Sequence, residues 1–306
     1  MNEISTPRST ICAVIVSYHP ELNRLLCLLE SLGSQVQCAV VVDNGSSESV
    51  VTWLKSLTLP VPLRVIPLRE NLGIARAQNE GIQVARQNGA DYVMLFDQDS
   101  EPAHGMVNVL LFAAVKLQAD GHKLAAVGPR YTAINQEDRS PFIKVSKFQV
   151  KRQSCASSKS IVEADCLISS GSLIPVANLD TIGLMNDKLF IDYVDIEWGL
   201  RAKSKGYKSF GVCGALMQHD LGDAPITVLG RNFACRSPLR HYYTFRNAIW
   251  LYRQTWLSFE WKVADGWRLL LKFGFYTLFA KPRLHHFKMM TKGVLHGFMG
   301  RMGRLD

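Results

Sequence analysis

Two aspartates, Asp97 and Asp99, lie one residue apart at the end of an apolar run that begins at Tyr92. A pair of carboxylates at a strand end can hold a divalent cation, accept hydrogen bonds from sugar hydroxyls or cap a helix. A cap before Pro102 would account for only one of the two carboxylates. Because Mg²⁺ takes one or two carboxylates and completes its shell with phosphate oxygens, the spacing favours a metal site.

Polar residues also follow two earlier apolar runs. Ser17 and Tyr18 end the run that begins at Ile11, and Asp43 and Asn44 end the next one. Apolar runs alternate with helical patterns and occupy residues 11–18, 38–46, 63–68 and 91–96. This alternation predicts a parallel sheet with helices on both faces. Ligands bind beyond the carboxyl ends of the strands in such sheets, so we expect these polar residues to meet at one edge.

The second half of the chain adds further candidate residues. A helical pattern over 192–207 opens with Asp192, Asp195 and Glu197. Any helix favours acidic residues in its first turn, and a general base needs a carboxylate, so both interpretations stay open. Gly171 lies in a predicted tight turn over 169–172, and His219 precedes another turn. Residues 132–160 are polar and irregular, which predicts a long excursion with one hairpin.

Composition limits the class of protein. With 306 residues, of which 47% are hydrophobic and 20% charged, the chain can bury a large core and is not generally disordered. The seven cysteines form no C-x-x-C pair, which predicts reduced thiols in a cytoplasm. The first ten residues contain no apolar signal segment, and no uncharged stretch approaches the length of a membrane helix.

The net charge of +9 is concentrated towards the C-terminus. Residues 243–306 carry 11 Lys and Arg against 3 Asp and Glu, among many aromatic and leucine side chains. No nucleic-acid-binding motif accompanies them, so nucleic acid is not an expected partner. A basic, apolar tail is typical of a protein held at an anionic membrane surface. The alternative is a helical cap that packs on the rest of the protein with its cations in water.

Seven segments of the chain occur in the order typical of one enzyme family: VIVSYHP, VVDNGS, NLGIARAQNEGI, LFDQDS, SSGSLI, FIDYVDIEWGLRA and HDLG. In these segments the chain resembles the family-two inverting glycosyltransferases with the GT-A fold. Within that family it resembles the bacterial rhamnosyltransferases of O-antigen and other cell-surface polysaccharide synthesis. The resemblance runs from Ile11 to His219, with a weaker match over 240–247. It implies an α/β GT-A-like domain over 1–235, with a mainly parallel central sheet, and a helical extension over 236–306.

The resemblance implies a nucleotide site at the strand ends. Ser17 and Tyr18 would lie against the base, and Asp43 would accept a hydrogen bond from it, with Asn44 shaping the pocket. The segment that lines the nucleotide and ribose would contribute Asn71, Gly73, Arg76 and Asn79. An ordinary turn-forming aspartate is the alternative for Asp43, because an Asn-Gly pair follows it.

The resemblance also implies a metal site and a catalytic base. Asp97 would meet the ribose or the metal, Asp99 the metal, and His219 the diphosphate or the metal, which would be Mg²⁺ or Mn²⁺. Asp195 matches the catalytic base. Many relatives have Glu directly before this Asp, where this chain has Val, so Glu197 remains an alternative base.

The remaining predicted residues concern the acceptor. Small residues around Gly171 would leave room for the acceptor sugar, unless they only form a tight turn. Arg246 would stabilise the leaving diphosphate or a lipid-linked pyrophosphate, or else lie on a solvated helix face.

Together these inferences predict an inverting transfer of L-rhamnose from dTDP-β-L-rhamnose to a lipid-linked saccharide. The enzyme would lie in the cytoplasm, attached peripherally to the inner face of the membrane. Three alternatives stay open: transfer from another nucleotide sugar, a nucleotidyltransferase, and a non-catalytic protein that binds nucleotide sugars. A nucleotidyltransferase would usually bring a glycine-rich phosphate loop after the first strand, whereas VSYHPELN contains no glycine.

Overall fold

The first part of the chain alternates strands and helices, as its apolar runs predict. A computed structural model describes residues 9–133, 142–219, 226–228, 231–233 and 235–305. Its first elements are β1 (Ile11–Ser17), α1 (Leu22–Leu32), β2 (Cys38–Asp43), α2 (Glu48–Ser56), β3 (Leu63–Pro67), α3 (Ile74–Gln87) and β4 (Tyr92–Asp97). Each of the four predicted strands is therefore present.

The middle of the chain is richer in short strands. It contains β5 (Ser100–Pro102), α4 (Met106–Ala119), β6 (Leu124–Ala133), β7 (Phe142–Ser146), β8 (Gln149–Gln153), β9 (Ile161–Ala164), β10 (Leu173–Pro175) and α5 (Leu179–Ile182). The later elements are α6 (Val194–Ser204), β11 (Lys208–His219), β12 (Ile226–Val228), β13 (Arg231–Phe233), α7 (Pro238–Tyr252), α8 (Phe259–Phe279) and α9 (Arg283–Met299). The antiparallel pair β7–β8 is the hairpin predicted within the polar excursion.

One large sheet organises the protein. Its strand order is β3-β2-β1-β4-β10-β6-β11-β5, and β9 pairs with β11. The strands β3, β2, β1 and β4 are parallel, as are β6 and β11. The strand β10 runs antiparallel between β4 and β6, and the short strands β5 and β9 are antiparallel to β11. The predicted α/β architecture, a large and mostly parallel sheet with a helical C-terminal region, is confirmed.

Both faces of the sheet are buried, which explains the unbroken apolar runs. Side chains alternate between the faces along each strand. In β1, Ile15 joins an apolar cluster with Leu29 of α1 and residues of α4. Its neighbour Val14 joins a second cluster with Ala77 of α3 and Trp198 of α6. The strand bodies are thereby fixed on both sides, and their polar carboxyl ends emerge at one edge.

The two aspartates after β4 do not cap a helix. Ser100 begins the short strand β5, and α4 begins only at Met106. The N-cap residue of α4 is Gly105, with φ 76°, and it makes no side-chain cap. The capping alternative for Asp99 or Ser100 is therefore wrong. The turn back into β5 leaves the carboxylates at the edge of the sheet instead.

Two of the seven cysteines are joined in a disulfide, Cys155–Cys213, with Cα atoms 5.7 Å apart. The prediction of seven reduced thiols is wrong for this pair. The two residues are 58 positions apart, and only the pairing of β9 with β11 brings them together. The N–H of Cys213 donates to Ser160 O at 3.0 Å, which holds the segment before β9 against β11. The other five cysteines are free thiols.

The helices α7, α8 and α9 pack on one another and on the rest of the protein. Trp261 of α8 and Met290 of α9 share a buried cluster with Tyr193 and Leu200, which lie before and within α6. One of the two interpretations of the tail was a helical cap that packs on the rest of the protein. Part of the surface of these helices does pack in this way. Within the described ranges, no helix combines the length and apolar character needed to cross a bilayer.

The crossing of α7 and α9 depends on glycine. A Cβ added at Gly293 would overlap Tyr242 O of α7, whereas one added at Gly274 of α8 would meet no atom within 4 Å. We expect Gly293→Ala to lower the free energy of unfolding by ~1–3 kcal/mol through overpacking. Gly274→Ala is the matched control and should raise it by ~0.5–1 kcal/mol, because alanine favours a helix interior. Urea denaturation measures both, and equal effects would contradict the close helix crossing.

Candidate functional site

Asp43 joins the carboxyl ends of β1 and β2. Ser17 lies beside it in register, and Ser17 Oγ donates to Asp43 Oδ1 at 3.2 Å. The N–H of Ser46 donates to Asp43 Oδ2 at 2.9 Å, so Asp43 does shape its turn. Asp43 and Ser17 are both fully buried, so in this structure the carboxylate holds its own turn and the end of β1 together. Tyr18 is 44% exposed at the same edge, where its ring can stack on a flat ligand.

Two asparagines connect β2 to the start of α3. Asn44 Nδ2 donates to Asn71 Oδ1 at 3.0 Å, and Asn44 Oδ1 accepts from Leu72 N at 2.9 Å. Asn71 Oδ1 also accepts from Gly73 N at 2.9 Å. Gly73 has φ 89°, and a Cβ there would lie 2.6 Å from Phe190 O, so only glycine fits. These predicted nucleotide residues are therefore brought together in one network at the strand ends.

Arg76 and Asn79 both lie on α3 but have different surroundings. Arg76 pairs with Glu80 at 2.7 Å and Asp187 at 3.7 Å, and its side chain is 50% exposed. It lines an open cavity of about 490 Å³, a volume in the range of ligand sites. Asn79 is buried, and its amide makes two hydrogen bonds of 2.9 Å with the backbone of Met185. Arg76 thus faces open space, while Asn79 anchors the loop after α5.

Asp97 and Asp99 flank the turn between β4 and β5. Val16, the residue before Ser17, pairs with Asp97, so the two aspartates lie beside the end of β1. The Oδ1 atom of each carboxylate is buried. Two hard oxygen donors fit Mg²⁺ or Mn²⁺, which would take further oxygens from a diphosphate. Among the side chains that the structure describes, no cluster of three or more His, Cys, Asp or Glu could hold a metal ion by itself.

The predicted third metal residue, His219, ends β11, and its backbone pairs with that of Ser100 in β5. Its side chain lies outside the described part of the chain, as do residues 220–225 after it. The pairing brings the backbone of His219 next to the residue after Asp99.

The turn containing Gly171 supports the end of β4. Gly171 has φ 80°, and its N–H donates to Leu95 O at 2.7 Å. The neighbouring Ser170 Oγ accepts from Asp97 N at 3.2 Å and lies 2.6 Å from Ser100 Oγ. The predicted tight turn is therefore present. It binds both sides of the two-aspartate turn and fixes where the carboxylates lie.

Asp195 lies in the first turn of α6, close to the end of β4. Burial raises its pKa to about 6, the N–H of Ile196 opposes this shift, and the charge of Asp97 adds to it. The N–H of Ile196 donates to Asp195 Oδ1 at 2.8 Å. Asp195 also borders a small cavity of about 20 Å³ between α6 and the sheet. A carboxylate with a pKa near the working pH is suited to accept a proton and release it again.

Glu197, the alternative base, has a different environment. It is 2% exposed and forms a bidentate ion pair with Arg201, with Nε–Oε1 and Nη2–Oε2 distances of 2.7 and 3.0 Å. Arg201 in turn donates to the carbonyls of Ile182 and Leu184. Both partners are thus committed to holding α6 on the loop after α5. The geometry therefore favours Asp195 for proton transfer.

The segment that leads into α6 has an unusual backbone. Phe190, Asp192 and Tyr193 have φ values of 66°, 64° and 64°, although none is glycine. Asn247 of α7 holds this segment: its Nδ2 donates to the carbonyls of Leu189, Ile191 and Asp192 at 3.0, 2.8 and 2.8 Å. The role of Asn247 was not predicted, because its three acceptors lie more than 50 residues earlier. The only signal was the weak family match over 240–247.

The side chain of Asp192 strengthens the same attachment. It is 4% exposed, and Arg240 Nε and Nη2 each donate to it at 2.8 Å. Arg236 also pairs with it. Burial alone would raise the pKa of Asp192, but the hydrogen bond from Arg240 and the charges of Arg236 and Arg240 outweigh it and lower the pKa. Asp192 is therefore an ionised anchor for the N-terminus of α7.

Arg246 has neither of the two predicted environments. It is fully buried, so the solvated helix face is excluded. Its guanidinium donates to the carbonyls of Leu189, at 2.8 Å, and Gly303, and lies 4.8 Å from the ring centroid of Tyr243. These contacts tie the C-terminal segment to the loop before α6. The guanidinium of Arg246, which was predicted to contact a pyrophosphate, is bonded to backbone carbonyls instead.

Comparison with known proteins supports a family assignment. Residues 13–158 match the family model described as glycosyl transferase family 2. The dTDP-rhamnosyl transferase RfbF of Shigella flexneri is 29% identical over 296 residues, which cover 96% of this chain and 97% of that protein. The galactofuranosyltransferase GlfT1 of Mycolicibacterium smegmatis is 26% identical over 280 residues, covering 84% and 90% of the two chains. The predicted resemblance to family-two glycosyltransferases is confirmed.

Solved structures agree with the fold. The crystal structure of S. aureus TarS 1-349 in complex with UDP-GlcNAc has a TM-score of 0.60 at 15% identity, covering 94% of this chain and 81% of that one. The crystal structure of GalNAc-T7 with UDP, GalNAc and Mn²⁺ has a TM-score of 0.61 at 13% identity. This chain spans 58% of the length of GalNAc-T7 in that structure. At these identities the likeness concerns the fold alone, and it confirms the GT-A architecture.

The contacts of Asn247 generate a test. Asn247→Ala removes the side-chain donor to Ile191 O and Asp192 O and one of the donors to Leu189 O, which also accepts from Arg246, so we expect the free energy of unfolding to fall by ~1–3 kcal/mol. The strained segment before α6 should then relax, and Asp195 should lose its fixed position. Protease cleavage within 187–194 of the folded protein should become faster. Gln254→Ala is the control, since within the described part of the chain its side-chain amide bonds to Trp250 O alone, near the end of α7. Unchanged stability and cleavage in Asn247→Ala would contradict the anchoring role.

Proposed function

We propose that this protein is an inverting glycosyltransferase that transfers L-rhamnose from dTDP-β-L-rhamnose to a lipid-linked saccharide. The observation that carries the proposal is the position of Asp195, a carboxylate with a raised pKa within electrostatic reach of the two-aspartate turn. The near full-length similarity to the dTDP-rhamnosyl transferase of Shigella flexneri supports the choice of donor. O-antigen or another cell-surface polysaccharide is the product class that fits this assignment.

The donor would bind along the carboxyl ends of β1, β2 and β4. The ring of Tyr18 would stack on the base, and Asp43 would accept from a base N–H. The network of Asn44 and Asn71 would shape the pocket, with Arg76 in the open cavity beside it. A divalent ion bound by Asp97 and Asp99 would neutralise the charge of the diphosphate leaving group.

Asp195 would act as the general base. Its carboxylate would take the proton from an acceptor hydroxyl as the oxygen of that hydroxyl attacks the anomeric carbon. The bond from the anomeric carbon to the diphosphate breaks in the same step, with its electron pair leaving on dTDP. Attack on the face opposite the diphosphate inverts the anomeric configuration, and no covalent enzyme intermediate is needed. The small residues of the Gly171 turn would leave room for the acceptor sugar.

Replacement of the base tests this mechanism. We expect Asp195→Asn to lower kcat ~10²–10⁴-fold, the usual contribution of a general base, with little change in donor affinity. Because the base must be ionised, kcat/KM of the wild type should rise with pH up to about 6 and level off above it. Glu197→Gln is the control and should mainly lower stability. A loss of rate in Glu197→Gln with none in Asp195→Asn would reassign the base.

Calorimetry tests the donor. We expect dTDP-L-rhamnose or dTDP to bind in the presence of Mg²⁺ or Mn²⁺, and UDP to bind more weakly. EDTA should weaken nucleotide binding to the wild type. Asp99→Ala should bind weakly with or without EDTA, while its melting temperature stays close to that of the wild type. Tight binding of UDP-sugars with no binding of dTDP would overturn the choice of donor and leave transfer from another nucleotide sugar.

We further propose that the protein is held peripherally at the cytoplasmic face of the membrane by α8 and α9. Their outward faces carry large apolar side chains that are 40% to 70% exposed: Phe259, Val263, Trp267, Leu270, Leu271, Leu278, Phe279, Leu284, Phe287, Leu295, Phe298 and Met299. In α8 these residues follow helical spacing and form one stripe. Packing on the protein does not account for this stripe. Cations of the same helices would add attraction to anionic lipids, at ~1 kcal/mol each.

Liposome sedimentation tests this attachment. The double variant Trp267→Ser, Leu271→Ser should bind anionic vesicles at least about tenfold more weakly, since burying each large apolar side chain contributes ~1.5–3 kcal/mol. Phe112→Ser is the matched control, because Phe112 is 52% exposed on α4, away from the extension. Binding that is absent in the wild type at every anionic lipid content, or equal in the two variants, would refute the attachment.

A further inference from the structure

The inner face of α8 contacts the segment that leads to the proposed catalytic base. Asp265 Oδ2 accepts from the hydroxyls of Tyr193 and Tyr252 at 2.8 and 2.7 Å, and Tyr193 is two residues before Asp195. Eleven residues further along α8, the ring of Tyr276 packs on His241 of α7, with centroids 4.1 Å apart. Positions 265, 268, 272 and 276 are spaced by three and four residues, so they share one face of the helix.

The two positions between these contacts are Arg268 and Lys272. They are exposed, although they lie on the face of α8 that packs against α7 and the loop before α6. No carboxylate of the described residues lies within ion-pair distance of either. The exposed apolar stripe, with Trp267 and Leu271, occupies a different side of the same helix.

A third cation approaches from the start of α7. Arg236 pairs with Asp192, which lies in the loop that leads into α6, and its side chain remains 44% exposed. Its charge acts on both Asp195 and Lys272. Desolvation of the ammonium group, together with the charges of Arg268 and Arg236, lowers the pKa of Lys272, and the charges of Asp265 and Asp192 oppose this shift only in part. This group of like charges is therefore only partly compensated, and a bound anion would relieve it.

We propose that Arg236, Arg268 and Lys272, the cation triad, bind the pyrophosphate group of a lipid-linked acceptor. Two guanidinium groups and an ammonium suit a ligand with two adjacent phosphates, because arginine binds phosphate oxygens in pairs and lysine as a point charge. The carboxylates at the end of β4 would serve the diphosphate of the donor, so a second diphosphate site within electrostatic reach of Asp195 would belong to the acceptor.

The position of the triad also defines the acceptor. The lipid chain would leave the pyrophosphate over α8 towards the apolar stripe and the bilayer, and the saccharide would point towards Asp195. Because Arg236 is within electrostatic reach of Asp195, the sugar that receives the transfer lies close to the pyrophosphate. The acceptor is therefore a lipid pyrophosphate that carries a short saccharide. This inference rests on the proposed function for the identity of the reaction, but the binding of a lipid pyrophosphate can be measured without a donor sugar.

Titration calorimetry with farnesyl pyrophosphate tests the triad. The protein is first saturated with dTDP and Mg²⁺, so that the probe cannot occupy the donor site. The double variant Arg268→Gln, Lys272→Gln keeps most of the alkyl length of both side chains. We expect it to bind farnesyl pyrophosphate about 100-fold more weakly, roughly tenfold for each cation removed, while its affinity for dTDP is unchanged. The single variants should each show about a tenfold loss, which keeps the test open if the double variant folds poorly.

Matched controls separate the ligand sources. Lys288→Gln, Lys292→Gln removes the same charge from exposed positions of α9, and should retain farnesyl pyrophosphate binding while it binds phosphatidylglycerol vesicles more weakly. Farnesyl monophosphate should bind the wild type more weakly than the pyrophosphate. Equal binding of both lipids, or an equal loss of pyrophosphate binding in the two double variants, would reduce the triad to general attraction for anionic lipid and overturn the proposal. Failure of dTDP to bind would instead count against the proposed donor alone.

Discussion

The carboxamide of Asn247 is the contact on which the arrangement of the site depends. It donates to three carbonyls of a segment in which Phe190, Asp192 and Tyr193 have positive φ values. Non-glycine residues in that region cost ~1–3 kcal/mol each, so the segment keeps its shape only where its surroundings fix it. That shape sets where α6 begins, and therefore where Asp195 lies. It also places Phe190 O against Ile74 N, the first residue of α3, at 2.8 Å. One loop thus positions both α6, which carries Asp195, and α3, which carries Arg76.

Most of the sheet and its polar edge could be predicted because they follow from local patterns. The apolar runs of β1, β2 and β4 are buried on both faces, and their ends carry Ser17, Asp43 and Asp97 as expected. The strand that follows Asp99 in place of a helix, the disulfide of Cys155 and the surroundings of Arg246 could not be predicted, since each depends on partners far along the chain. The strand β5 exists only because β11 pairs with it. The local signal at Ser100 and Pro102 was a helix start, and tertiary pairing overrode it.

The C-terminal helices contact the segment before Asp195 and also form part of the protein surface. Their inner side carries Asp265, which binds Tyr193, and their outer side carries the exposed apolar stripe. After α9 the chain returns to the loop before α6, where Gly303 N donates to Lys188 O at 2.8 Å. The cations of this region therefore lie on two different faces of the helices. Some cations lie outward with the apolar residues, and others lie on the face of α8 that carries Asp265, so a single surface role does not account for all of them.

The long sequence separation of the Asn247 contacts has a consequence during synthesis. Residues 11–97 contain the whole parallel part of the sheet around β1, so this part can form while the rest of the chain is still inside the ribosome. Asn247 follows Ile191 by 56 residues. At ~5–20 residues per second, the ribosome needs roughly three to eleven seconds to extend the chain from one to the other. Under the proposed function, a nascent chain in that interval would contain the donor-site residues but no fixed base, so a truncated translation product would bind nucleotide without consuming it.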